Sequence, residues 1–193
     1  MASPPSPTDE DLVRMARLEP QSKAFALLIQ RHQSRLRLYL RSLCGNNAFA
    51  DELAQETLLK VHRSLSQFMF ESSYKTWLMT VARNTFLDQA RLASYTLNNS
   101  LRAPAQEQGL ERANESASST ENRQIFIIDL NRAMKNLSPA EREVIAHCYF
   151  ADLSMDETAR ILNMPLGTVK THSNRALIKL RSELQAWKIN DSH

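Results

Sequence analysis

The stretch from Ser154 to Arg181 has residue types and spacings suited to binding chemistry. Ser154 can cap a helix, and Glu157 three residues later completes a capping box, so a short helix is predicted to about Leu162. A break at 163–165 follows, and Pro165 and Gly167 mark the start of a second helix. The predicted outward side chains of that helix are short donors and cations: Thr168, Lys170, Thr171, Asn174 and Arg175.

This pattern is typical of a helix-turn-helix. The N-terminal part of its second helix enters the major groove, where donors and cations meet base edges and phosphates. Double-stranded DNA is therefore the predicted partner of this segment. A solvated charged helix face is the alternative, and the two successive start signals with the turn between them favour DNA.

Composition indicates an all-α chain. Only three of 193 residues are glycine, alternating strand patterns are absent, and helical periodicity recurs along the sequence. The hydrophobic share of 42% is enough to bury a core. The net charge of +3 excludes non-specific coating of nucleic acid but allows local basic patches.

Four N-terminal helices are predicted from start and stop signals. Thr8 caps the first, Pro20 opens a second that stops at Gly45, Asn47 caps a third, and Ser73 caps a fourth. The inward positions are predicted at Phe25, Leu28, Ile29, Leu36 and Leu40, then Phe49, Leu53, Thr57, Val61 and Leu65, then Tyr74, Trp77, Leu78, Val81 and Leu92.

The chain is predicted to have two small helical domains joined by a flexible linker. Residues 94–122 are rich in Ser, Asn, Ala, Gln and Glu and offer few large apolar groups. The predicted domains are therefore 1–93 and 123–193. In the second, Ser138, Pro139 and Glu141 start a helix, and Val169, Ala176, Leu180 and Leu184 form the inward stripe of the last one.

Charge is unevenly distributed in the first domain. Residues 20–50 carry five basic side chains and no acid, and Asp51, Glu52 and Glu56 follow as an acidic cluster. This order suggests that opposite faces serve different partners.

Sites for metals, cofactors or catalysis are not indicated. Cys44 and Cys148 are far apart in sequence, and His147 beside Cys148 lies in an apolar helix where buried packing is expected. The sequence has no HExxH motif, phosphate-binding glycine loop or nucleophile–base set, so no enzyme activity, cofactor or small-molecule substrate is predicted. The absence of a signal-like N-terminus or a long apolar run predicts a cytoplasmic chain.

Three segments together resemble the extracytoplasmic-function (ECF) group of sigma-70-family RNA polymerase sigma factors. They are DELAQETLLKVHRSL (51–65), FMFESSYKTWLMTVARNTFLDQAR (68–91) and LSPAEREVIAHCYFADLSMDETARILNMPLGTVK (137–170). The resemblance covers most of the chain, including the domain order. A heavy-metal, cobalt-nickel resistance member is a further hypothesis that no motif proves.

The resemblance implies a role for each segment. Asp51, Gln55 and Glu56 match the segment that docks on core RNA polymerase, although a solvated acidic face is the alternative by composition. Residues 68–84 match the region that opens and reads the minus-ten promoter element. There Phe68 and Asn84 align with a pocket for an expelled base, and Lys75 and Arg83 are candidate phosphate contacts; Trp77 is expected to be core.

The chain departs from the family pattern in two places. Phe70 stands near a position where relatives often have glycine, which leaves promoter preference at that base open. Residues 168–175 match the helix that reads the minus-thirty-five element, but His172, Ser173 and Asn174 replace a commonly more basic stretch. Phosphate anchoring by Lys170 and Arg175 is therefore a firmer expectation than any base code.

The implied function is a dissociable promoter-specificity subunit. Its implied partners are core RNA polymerase, promoter DNA and an anti-sigma factor, often membrane-tethered, that would hold it inactive at the inner membrane. A stand-alone helix-turn-helix regulator is the first alternative, and it leaves the acidic patch and residues 68–84 without a role. A nucleic-acid-processing enzyme is the second, and it lacks an obvious metal-binding carboxylate cluster.

Overall fold

The computed structural model describes residues 6–19, 23–99, 130 and 132–190, with side chains of 94–99 and 185–190 excepted. Within these residues all regular secondary structure is helical, which confirms the all-α prediction. The chain divides into two compact units, Met1–Ser94 and Tyr95–His193.

The described residues of the first unit form four helices: α1 (Asp9–Leu18), α2 (Ala24–Cys44), α3 (Asn47–Ser64) and α4 (Tyr74–Asn99), with a 3-10 turn at Leu65–Gln67 after α3. Thr8 caps α1 in a capping box with Asp11. Gly45 ends α2 at a φ of 67°, in the left-handed region that glycine adopts without a steric penalty.

The core of the first unit follows the predicted stripes. Leu28, Leu36 and Leu40 of α2 are buried against α1 and α3, and Leu53, Thr57 and Val61 of α3 are buried with them. Tyr74 and Leu78 bring α4 into the same core. Thr57 donates its hydroxyl to the Leu53 carbonyl at 2.7 Å, so a polar side chain is tolerated in this stripe.

Three of the sequence expectations for this unit need correction. Asn46, not Asn47, caps α3, because its side-chain oxygen accepts the Phe49 amide at 2.9 Å. Leu92 is 58% exposed and so does not belong to the core stripe. Asp51 lies 3.5 Å from both Arg37 and Arg41, so the basic and acidic blocks meet instead of occupying opposite faces.

Some expectations fall where the structure gives no description. Pro20 and the remainder of the predicted linker, 100–122, lie outside the described residues.

The second unit contains α5 (Pro139–Ile145), a π-helical turn (Ala146–Phe150), α6 (Met155–Leu162) and α7 (Leu166–Asn190), preceded by a helical segment that ends at Lys135. Capping boxes at Ser138 and Ser154 confirm both predicted helix starts. Helix α7 packs against α5 through a cluster formed by Ala133, Met134, Leu137, Ile145, Ala176 and Leu180.

Candidate nucleic-acid and polymerase interfaces

The turn between α6 and α7 is fixed by backbone geometry and by a small core. Asn163 ends α6 at a φ of 51°, a left-handed conformation that Asn tolerates better than most residues. The Met164 amide then donates to the Ala159 carbonyl at 3.0 Å. Leu162 and Val169, on the two sides of the turn, pack with Val144 of α5. The predicted helix-turn-helix is therefore present as one packed unit.

Helix α7 presents the predicted DNA-facing side chains unequally. Lys170, Thr171, Asn174 and Arg175 are exposed, and Thr168 is half-buried. Thr171 donates its hydroxyl to the Gly167 carbonyl at 2.8 Å, which leaves its oxygen lone pairs as acceptors. The exposed set offers two cations and an amide on the first turns of the helix, the chemistry that phosphates and base edges require.

Two of the three residues that replace a more basic stretch turn away from solvent. Ser173 is 2% exposed and His172 is half-buried. Ser173 is followed on the same face by buried Ala176 and Leu180, so this face packs into the unit. Ser173 therefore packs α7 against the rest of the unit and is not available to contact DNA directly.

The predicted polymerase-docking residues on α3 differ in their surroundings. Gln55 is exposed. Asp51 lies 3.5 Å from both Arg37 Nε and Arg41 Nη2. Glu56 pairs with Lys60 Nζ at 3.0 Å and accepts the Gln89 amide at 3.1 Å. The carboxylates of Asp51 and Glu56 are thus already paired within the chain. The surface carries charges of both signs, and Gln55 adds an exposed amide.

The four predicted minus-ten residues are likewise not equivalent. Asn84 on α4 is exposed, and Lys75 and Arg83 on the same helix are half-buried. Phe68 is only 3% exposed. The structure therefore offers Asn84 to a ligand directly, whereas the Phe68 ring is part of the core.

Phe68 lies at the centre of an aromatic cluster. Its ring centroid is 4.8 Å from that of Phe70, 5.0 Å from Trp77 and 6.3 Å from Tyr74. Burial, with Asp9 nearby, raises the pKa of the Tyr74 phenol, so this ring stays neutral. Trp77 packs within the cluster, as its expected core role requires.

Arg17 of α1 is a site residue that the sequence did not indicate. Its Nε donates to the Leu65 carbonyl at 2.9 Å, and its Nη2 donates to the Phe68 carbonyl. These bonds hold the start of the segment that connects the 3-10 turn to α4. Arg17 and Leu65 are 48 residues apart in sequence and meet only in the folded chain. No local sequence pattern could therefore have revealed the role of Arg17.

His147 and Cys148 have the packing role expected of them. His147 is fully buried with Nδ1 at 2.7 Å from the Glu143 carbonyl, and Cys148 Sγ lies 3.4 Å from Thr158 Oγ1. Burial raises the pKa of the Cys148 thiol, and that of Cys44, so both stay protonated near neutral pH. Among the residues with described side chains, no cluster of three or more His, Cys, Asp or Glu could hold a metal ion.

Among the described residues, no helix combines the length and the apolar character needed to cross a bilayer.

Comparison with known proteins gives a family match for each unit. The family model for Sigma-70 region 2 matches residues 28–94, and that for Sigma-70, region 4 matches residues 133–182. The ECF RNA polymerase sigma factor BldN of Streptomyces coelicolor is 26% identical over 175 residues, which are 88% of this chain and 65% of BldN. SigE of Mycolicibacterium smegmatis is 28% identical over 162 residues, 81% of this chain and 60% of SigE. The chain thus spans less than two thirds of the length of either relative.

A solved structure agrees with these matches. The sigma factor RpoE from Bartonella quintana, co-crystallised with the anti-sigma factor NepR, has a TM-score of 0.69 and 26% identity to this chain. The alignment covers 85% of this chain and 98% of that one. Together the two region models match more than half of the residues, in the order predicted from the sequence. The chain belongs to the sigma-70 family of RNA polymerase sigma factors, in its extracytoplasmic-function group.

Proposed function

We propose that this chain binds core RNA polymerase and directs promoter-specific initiation by recognising two promoter elements. The observation that carries the proposal is the presence, in one chain, of a helix-turn-helix with exposed Lys170, Asn174 and Arg175 and of a separate unit that exposes Asn84 on α4, the helix that also carries Tyr74 and Trp77 of the aromatic cluster. The order of the region 2 and region 4 matches supports it. Sigma factors supply recognition, so the chain contributes no catalytic group.

Each surface has a proposed partner. Asp51, Gln55 and Glu56 contact the polymerase. Phe68, Lys75, Arg83 and Asn84 serve the minus-ten element: Asn84 binds an expelled base, Lys75 and Arg83 approach phosphates, and the buried Phe68 supports the site from beneath. Thr168, Lys170, Thr171, Asn174 and Arg175 read the minus-thirty-five element, with Lys170 and Arg175 on phosphates.

Run-off transcription with purified core enzyme tests this function. Core plus this chain should give transcripts of one length from a cognate promoter, and core alone should give none. If the chain is instead a stand-alone helix-turn-helix regulator, it will bind duplex without core and will not support initiation. Metal-dependent cleavage of the template by the chain alone would favour the nucleic-acid-processing alternative, for which the described side chains offer no metal-binding cluster.

An anti-sigma factor is the proposed regulator. Bartonella RpoE was solved with the anti-sigma factor NepR, and its likeness to this chain supports a partner of the same class here. We place the chain in the cytoplasm and, when inhibited, at the inner membrane through a tethered partner that covers the polymerase-binding surface. If the gene beside that of this chain encodes a small membrane protein, adding the cytosolic part of that protein should abolish run-off transcription. The cobalt-nickel resistance hypothesis needs a separate test, which measures whether those metals induce transcription that depends on this chain.

A further inference from the structure

Glu56, on the predicted docking surface of α3, has both of its carboxylate oxygens occupied by groups of the same chain. Lys60 Nζ, one turn further along α3, lies 3.0 Å from Glu56 Oε1. The side-chain amide of Gln89, on α4, donates to Glu56 Oε2 at 3.1 Å. A cation from another protein therefore meets a carboxylate that already has a cation beside it.

Asp51, at the other end of the same surface, is also paired within the chain. Arg37 Nε and Arg41 Nη2, both on α2, lie 3.5 Å from the same oxygen, Asp51 Oδ1. The side chains of Asp51 and Glu56 are 43% and 37% exposed, so a partner can reach both. Because like charges repel, a cation of that partner binds well only where it replaces a cation of this chain.

These internal pairs are weak enough to be exchanged. An ion pair with both side chains partly exposed contributes little to stability. Lys60 Nζ is also 3.6 Å from Asp88 Oδ2 of α4, so Lys60 keeps one carboxylate when it leaves Glu56. The pair between Lys60 and Glu56 can therefore open and close reversibly at small cost.

We propose that Lys60, Arg37 and Arg41 mask the docking surface of the free chain, and that core RNA polymerase docks by putting its own cations in their place. Part of the docking free energy is then used to open the internal pairs. Removal of a masking cation should tighten core binding, whereas removal of a cation that itself contacts the polymerase would weaken it. This masking regulates the docking surface proposed above and rests on that proposed function.

The first test measures fluorescence binding of the full chain to core enzyme at one ionic strength. Lys60→Gln should bind about two- to fivefold more tightly than the wild type, the amount that one exposed ion pair contributes. Arg63→Gln is the matched control: Arg63 is exposed on the last turn of α3, loses the same charge, and has no acidic partner among the described side chains. Unchanged or weaker binding of Lys60→Gln, or an equal gain in Arg63→Gln, would overturn the masking.

A double-mutant cycle tests whether the gain acts through Glu56. In a Glu56→Gln background there is no carboxylate for Lys60 to mask, so adding Lys60→Gln should no longer tighten binding. The same gain in both backgrounds would show that Lys60 acts elsewhere. Thermal unfolding of the four chains checks that these surface substitutions leave the fold intact.

Salt dependence gives a second readout. Docking of the wild type exchanges one ion pair for another, and salt screens both, so the two effects oppose each other. Lys60→Gln has only the pair with the polymerase at this position, and its affinity should therefore decrease more steeply with salt. A slope equal to that of the wild type, or shallower, would contradict the exchange.

Run-off transcription separates this inference from the proposed function. If the wild-type chain gives no promoter-specific transcript with core enzyme, the function fails and the masking fails with it. If the wild-type chain gives the transcript and Glu56→Gln weakens core binding, but Lys60→Gln does not tighten it, only the masking is wrong.

Discussion

Glu141, at the start of α5, joins Lys179 of α7 while it also caps its own helix. Lys179 Nζ donates to the two carboxylate oxygens at 2.7 and 3.0 Å, and the Ser138 amide donates to Glu141 Oε2 at 2.9 Å. Glu141 is 4% exposed. The Lys179 hydrogen bond, against the opposing effect of burial, lowers the pKa of Glu141 below its ordinary 4.5. One carboxylate therefore ties the start of α5 to the helix that carries the predicted DNA-facing residues.

This arrangement predicts acid sensitivity of the C-terminal unit. Because the pKa of Glu141 is lower in the folded than in the unfolded chain, its stabilising contribution is fully present above 4.5 and is lost as the pH falls below that value towards the folded pKa. Glu141→Gln keeps an N3 acceptor for the Ser138 amide but removes the ion pair, and should cost about 1 kcal/mol near neutral pH. Urea unfolding should show that this cost shrinks near pH 3.5, roughly one unit below the ordinary value. An equal cost at both pH values would contradict the assignment.

The docking surface on α3 predicts a selective loss of polymerase binding. Gln55→Ala combined with Glu56→Lys removes the exposed amide and places a lysine beside Lys60, so affinity for core enzyme should fall by at least about tenfold. Stability should change by no more than about 1 kcal/mol, because both positions lie at the surface and surface pairs contribute little. Fluorescence binding to core enzyme and thermal unfolding measure the two effects. Glu19→Lys, a charge reversal at the exposed end of α1, is the control; undiminished core affinity in the double variant would show that α3 is not the docking surface.

Replacing Lys170 on α7 should change the salt dependence of duplex DNA binding. Each phosphate neutralised on duplex DNA contributes about 0.9 to the slope of log affinity against log salt, so Lys170→Ala should lower that slope by about one for a minus-thirty-five duplex. Lys135→Ala removes an exposed lysine before α5 and should leave the slope unchanged. A Lys170→Ala slope equal to that of the wild type means that Lys170 does not contact phosphate.

Asn84 predicts a defect in promoter opening. Asn84→Ala should lower open-complex formation on a fully paired promoter about tenfold, the effect of losing roughly one good hydrogen bond to an expelled base, while core binding stays unchanged. A template already mismatched across the minus-ten element should restore part of the loss, because unpairing no longer has to be offset. Fluorescence of 2-aminopurine in the nontemplate strand reports the opening. Equal yields for Asn84→Ala and wild type on the paired promoter would return Asn84 to a simple surface role.

Substitution of Phe68 should affect stability differently from substitution of Asn84, although both residues belong to the same candidate site. Phe68 is 3% exposed and contacts three other rings, so Phe68→Ala should destabilise the first unit by about 3–5 kcal/mol. Asn84→Ala at an exposed position should change stability by less than about 0.5 kcal/mol. Thermal unfolding of both variants checks this contrast, and similar stability of the two would mean that the Phe68 cluster is not part of the core.

The sequence predicted the features that local signals encode. The capping boxes at Ser138 and Ser154 and the Gly45 stop are decided by residues within one turn of each other, and all three are confirmed. The inward stripes were also predictable, because burial follows helical period, although the period alone could not show that Leu92 lies beyond the part of α4 that packs.

The electrostatic surroundings of the site could not be predicted in the same way. The Asp51 contacts with Arg37 and Arg41, and the Arg17 bonds to the chain after α3, join residues brought together only by packing of separate helices. The burial of Phe68 has a different origin, because the three rings that pack on it, Phe70, Tyr74 and Trp77, lie two to nine residues later along the chain.

The hydrogen bonds of Arg17 to the segment after α3 go to main-chain oxygens, the carbonyls of Leu65 and Phe68. Every amino acid supplies that oxygen, so the anchor does not depend on which side chains the adjoining segment carries. Substitutions among residues 69–73 therefore leave these two hydrogen bonds in place, even where they alter the packing of Phe70 or the cap that Ser73 gives α4. Under the proposed function, single substitutions there would change promoter preference while α1 keeps the segment in the same place.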